Sequence, residues 1–89
     1  MHILEAKKNI IELFKKEDYS YSIMTNNFDV TDMSATLRFR LNRKWTSSHE
    51  NMQAIFESVE RELHDEFTVN MQFHLSGANL CTVIIHKKE

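Results

Sequence analysis

Five histidines, one cysteine and a short run of arginines are the residues of this 89-residue chain that chemistry would use first. The histidines, His2, His49, His64, His74 and His86, are scattered, with no His-x-x-x-His pair and no second cysteine to join them. A tetrahedral metal set therefore has no support from spacing, and no metal site is expected. Cys81 lies among apolar residues in CTVII, where a thiol acts as a small hydrophobe rather than an activated nucleophile. The single glycine excludes Gly-rich phosphate cradles, and no cofactor is expected.

Charge is more informative than any single nucleophile. The formal net charge is −2, but residues 1–45 carry eight Lys/Arg against six Asp/Glu, and residues 46–89 carry three against seven. The stretch TLRFRLNRKW, 36–45, holds Arg38, Arg40, Arg43 and Lys44 without one acid and ends on Trp45. Arg38 and Arg40 stand one pleat repeat apart, a spacing that suits successive carboxylates or phosphates. Between Glu50 and Glu66, six acids face only Arg61 among the cations. Glu57, Glu60, Glu62, Asp65 and Glu66 read as the wet side of a helix, with Glu57–Arg61 and Arg61–Asp65 as internal ion pairs. The chain-wide basic field of a duplex-DNA binder is absent.

The elements that must position these residues follow from hydrophobic periodicity. Ile3, Ala6, Ile10, Leu13 and Phe14 recur at three- and four-residue steps and predict an amphipathic helix over about 2–17. YSYSIMTNN, 19–27, reads as a strand, NNFDVTD as the following turn, and 33–41 as a strand with Leu37, Phe39 and Leu41 on one face. Ser47 with Glu50 three residues later forms a capping-box signature. It opens a helix carrying Met52, Ile55, Phe56, Val59 and Leu63 to about residue 65. Residues 67–75 alternate again, SGAN supplies a turn, and 79–86 is the last strand. Among the possible hairpin registers, a three-residue loop is preferred, because it buries Cys81, Val83 and Ile85 together.

The order αββαββ predicts one α+β domain over 1–89, a two-layer sandwich with two helices on one face of a four-stranded antiparallel sheet. The order resembles a ferredoxin-like βαββαβ topology whose first strand has moved to the end. This is a likeness of topology alone, and function has to come from a site.

In such a sandwich one sheet face stays open. Thr36, Arg38, Arg40 and Asn42 are expected on it from one strand, Asn70, Gln72 and His74 from the next, and Leu80, Thr82, Ile84 and His86 from the last. The expected function is a non-enzymatic protein-binding module, a regulator or inhibitor of the kind phages and mobile elements encode. Its contact surface comprises Arg38, Arg40, Arg43, Lys44, Trp45, Asn70, Gln72 and His74. A homodimer through the open faces is the simplest closed assembly. One alternative is a single-stranded nucleic-acid binder using Arg38, Arg40, Arg43, Lys44 and Trp45, weakened because Phe39, Phe67 and Phe73 fall on the helix side. Another is an enzyme with its site shared between subunits. With no apolar run of about 20 residues and no cysteine pair, no membrane association and a cytoplasmic setting are expected.

Overall fold

The structure, a computed structural model, describes residues 1–23, 29–77 and 79–88. The first helix, α1 (Ile3–Lys16), starts where His2 Nδ1 accepts the Leu4 amide at 3.1 Å. Its buried residues, Ile3, Ala6, Ile10 and Phe14, form the expected stripe. It ends in a Schellman turn: the Tyr19 amide donates to the Phe14 carbonyl and the Asp18 amide to that of Lys15. Asp18 takes the left-handed conformation, φ 55°, that glycine usually supplies there. Tyr19 then packs edge-on against Phe14 with ring centroids 5.3 Å apart, which sets the angle at which the chain enters the sheet.

The strands are β1 (Ser20–Ile23), β2 (Asp29–Val30), β3 (Ser34–Leu41), β4 (Phe67–His74) and β5 (Leu80–Lys87), all pairing antiparallel. Both β1 and β2 lie on the same side of β3, Ile23 opposite Phe39 and Val30 opposite Ala35. Counted together as one edge, they complete a four-stranded antiparallel sheet ordered β1/β2–β3–β5–β4. With β5 inserted between them, β3 and β4 run parallel, and the helices of the β3–β4 crossover lie on one face. That order is the one a permuted ferredoxin-like sheet would have.

The sheet bears out one expectation over its described part and corrects another. Of the predicted strand over 19–27, Ser20–Ile23 pair and residues 24–27 lie outside the described ones. Of the predicted turn NNFDVTD, residues 26–28 lie outside them too, while Asp29 and Val30 belong to a strand. The reversal is at Thr31–Met33, because Thr31 Oγ1 accepts the amides of Met33 (3.2 Å) and Ser34 (3.0 Å), and the Thr31 amide reaches the Ser34 carbonyl.

A short helix, α2 (Arg43–Thr46), precedes α3 (His49–Leu63). The residue that caps α3 is Ser48, whose Oγ accepts the Asn51 amide at 3.1 Å. Ser47 is turned the other way, donating to the Lys44 carbonyl at the end of α2, so the Ser47–Glu50 capping box does not form.

One contiguous core joins the layers. Ile3, Ala6, Ile10 and Phe14 of α1 and Ile55, Val59 and Leu63 of α3 meet Ala35, Leu37, Phe39 and Leu41 of β3 and Cys81, Val83 and Ile85 of β5. Phe14 stacks on Phe39 at 4.0 Å and 18°. The preferred β4–β5 register holds: Phe73 faces Cys81, and Cys81, Val83 and Ile85 are all buried. The ladder stops at His74–Leu80, so the connection is longer than the three residues expected, with no change in which side chains face inward.

Candidate functional site

Both long helices bury their stripes against one sheet face, which leaves the opposite face of β3, β5 and β4 without a covering element among the described residues. Strand register arranges that face in rows. Arg40, Leu80 and His74 form one row, and Arg38, Thr82 and Gln72 the next. Thr36, Ile84 and Asn70 follow, then Ser34, His86 and Thr68. The structure therefore brings together five of the eight residues selected from sequence: Arg38, Arg40, Asn70, Gln72 and His74. Asn70, Gln72 and His74 are exposed, and Arg38 and Arg40 half-buried.

The centre of the face is drier than its composition suggests. Thr82 is only 6% exposed although no helix covers it. Its row neighbours are Arg38 and Gln72, and its strand neighbours on that face are Leu80 and Ile84, both half-buried. Long side chains lie along apolar surface with their charged heads in water, which accounts for a shaded threonine between an arginine and a glutamine. The result is a polar, cationic rim around a small apolar floor. The three strands contribute no Asp or Glu to this face and no Phe, Tyr or Trp. At the β1 edge a bulge at Tyr21–Ser22 stands opposite Arg40, and Tyr21 is exposed.

The other selected residues, Arg43, Lys44 and Trp45, occupy a separate corner. Trp45 packs edge-on to Tyr19 (centroids 4.6 Å, 84°) and donates its indole N–H to the Asp18 carbonyl at 3.1 Å. Asn42, expected on the open face, instead donates to the same carbonyl at 2.8 Å and precedes α2 as its N-cap residue. The corner is thus tied to the α1–β1 turn, and its tryptophan closes the edge of the core. Arg43 and Lys44 are exposed, with the Lys44 ammonium 5.3 Å from the centroid of the Trp45 ring.

Glu57, Glu60, Glu62 and Asp65 are exposed as expected, but Glu66 is half-buried and pairs with the N-terminal ammonium of Met1, and the other pairs differ too. Asp65 Oδ1 lies 3.0 Å from His64 Nε2, and Gln53 Nε2 donates to Glu57 at 3.5 Å. Neither Glu57–Arg61 nor Arg61–Asp65 is among the ion pairs of the described residues. Exposed pairs gain less than about 1 kcal/mol against the entropy of holding two long side chains, so spacing alone does not form them. Among the described residues, no three His, Cys, Asp or Glu side chains group as a metal site would require. Cys81 is sealed in the core, and burial pushes its thiol pKa up to about 12.

Sequence reasoning missed an apolar groove beside β4. His49, Met52, Gln53 and Phe56 of α3 line it with Met71, Phe73 and Leu75, around a volume of about 340 Å³. Its signal was present in the sequence. Met71, Phe73 and Leu75 alternate like core residues but outnumber what one helix can cover. No helix among the described residues is long and apolar enough to cross a membrane. Comparison with protein-family models, with curated proteins and with solved structures gave no match for this chain.

Proposed function

We propose that this protein is a non-enzymatic, regulator- or inhibitor-type binding module that holds an acidic protein partner on its open sheet face. The observation that carries the reading is the composition of that face: Arg38 and Arg40 beside the shaded Thr82, with Leu80 and Ile84 as floor and Gln72, Asn70 and His74 as adaptable polar contacts. A cationic rim around a partly desolvated centre is the anatomy of a specific protein interface, in which arginine supplies bidentate contacts to carboxylates.

The same details disfavour the nucleic-acid alternative. Single-stranded binders stack bases on exposed aromatic rings, whereas the rings of Phe39 and Phe67 are buried, the Trp45 indole is engaged with Tyr19 and Asp18, and the exposed ring of Tyr21 belongs to the β1 edge rather than to β3, β5 or β4.

Affinity capture from the native cell, with and without nuclease, tests the reading. A partner that survives nuclease and is lost when Arg38→Glu and Arg40→Glu are combined is the expected result. Capture that disappears with nuclease, or is unchanged in the double variant, would overturn it.

A further inference from the structure

The outer edge of β4 is the least protected part of the molecule. Three bonds reveal which of its backbone groups point outward. The Lys87 amide donates to the Met33 carbonyl and the Leu41 amide to the Asn79 carbonyl, so the odd-numbered residues of β5 bond toward β3. Even-numbered ones bond toward β4, as Lys88 does to the Glu66 carbonyl at 2.8 Å. Antiparallel pairs alternate in this way along a ladder. Given the β4–β5 register, Thr68, Asn70, Gln72 and His74 turn their amides and carbonyls to β5. Phe67, Val69, Met71 and Phe73 therefore turn theirs out.

Nothing among the described residues pairs with that side. Monomeric proteins blunt such edges with charge, proline, bulges or short strands. This one has eight residues, regular register, and no Lys, Arg, Asp, Glu or Pro. The apolar groove of Met52, Phe56, Met71 and Phe73 runs alongside it.

We propose that a second copy of this chain occupies the edge, its β4 pairing antiparallel about a twofold axis at Asn70. Outward residues must meet outward residues, which fixes the parity of the pairing. Centring on Asn70 engages all four outward residues within β4, Phe67 with the partner's Phe73 and Val69 with the partner's Met71, each twice. A centre at Met71 would engage only three of them within β4. The chosen centre sets apolar against apolar on the helix side, and Thr68 against the partner's Gln72 on the open side. The two sheets become one continuous sheet with both open faces on the same side. The edge shares Asn70 and Gln72 with the open face but rests on the outward backbone groups of β4, and the dimer stands independently of what Arg38 and Arg40 bind.

The test is sedimentation of the full chain over a concentration series, together with residue-resolved amide exchange. A dimer is expected in which Val69 and Met71 amides are protected and lose that protection on dilution, while Asn70 and Gln72 stay protected throughout. Asn70→Lys, an exposed substitution that sets two ammoniums across the axis, should weaken the dimer tenfold or more. Arg38→Glu with Arg40→Glu should leave it intact. A monomer at all concentrations, rapid exchange at Val69 and Met71 within a dimer, an unaffected Asn70→Lys dimer, or dissociation by the arginine exchange would each overturn the proposal.

Discussion

The Cys81 thiol faces the core between Phe39 on β3 and Phe73 on β4. Burial raises its pKa from 9.0 to about 12, because a thiolate there would lose its hydration without gaining a partner. The folded protein therefore keeps the proton through a window in which the unfolded chain releases it. Below the unfolded value both states hold the proton, and the thiol contributes no pH dependence. Between pH 9.0 and about 12 the unfolded state binds fewer protons, so stability falls as pH rises, by up to about 1.4 kcal/mol per pH unit. Cys81→Val removes this loss while keeping an apolar side chain of similar volume. Urea midpoints at about pH 8 and about pH 10.5 should show the variant gaining on the wild type at the higher pH. An unchanged difference would mean that the thiol is hydrated, and its reactivity would then need reconsideration.

Helix starts are where adjacent residues compete, and α3 shows how the competition is decided. Ser47 and Ser48 both satisfy the composition rule for an N-cap, and Ser47 has the glutamate that completes a capping box. Tertiary bonds select Ser48: Ser47 Oγ donates to the Lys44 carbonyl at 2.8 Å, and Asn51 Nδ2 donates to the same carbonyl at 2.7 Å, closing α2 against α3. Ser48→Ala should therefore cost about 1 kcal/mol, a Tm loss of about 4–8 °C for a domain of this size, and Ser47→Ala distinctly less. The reverse order would restore the capping box. The same distinction explains what the sequence discloses elsewhere. The apolar alternation of β3 and the spacing in α1 are legible because burial acts on every second or every third and fourth residue. The strand at Asp29–Val30, inside the segment expected to turn, is not, since two residues are too few to show an alternation. Likewise the open-face membership of Arg38, Arg40, Gln72 and His74 follows from pleat parity. The docking of Trp45 on Asp18, 27 residues away, depends on a contact that no local pattern encodes.

At the scale of the whole molecule the open sheet face and α3 carry opposite charge. The sheet face of β3, β5 and β4 has arginines and no acid, while Glu50, Glu57, Glu60, Glu62 and Asp65 are exposed on α3 and the turn that follows it. An acidic partner approaching the open face is thus attracted by that face and repelled by α3, which favours a single docking orientation. The two proposed contacts then differ in what salt does to them. The open-face contact depends on charge at a partly hydrated rim, where screening shortens from about 8 Å at 0.15 M to about 3 Å at 1 M ionic strength. The β4 edge depends on backbone hydrogen bonds and on Met71, Phe73 and Phe56, which salt does not weaken. Raising ionic strength over that range should release the captured partner from the open face while sedimentation still reports a dimer. Loss of the dimer with retention of the partner would exchange the roles of the two surfaces. Loss of both together would mean that the partner binds only the paired form, with the two copies of Arg38 and Arg40 on one continuous sheet acting as a single site.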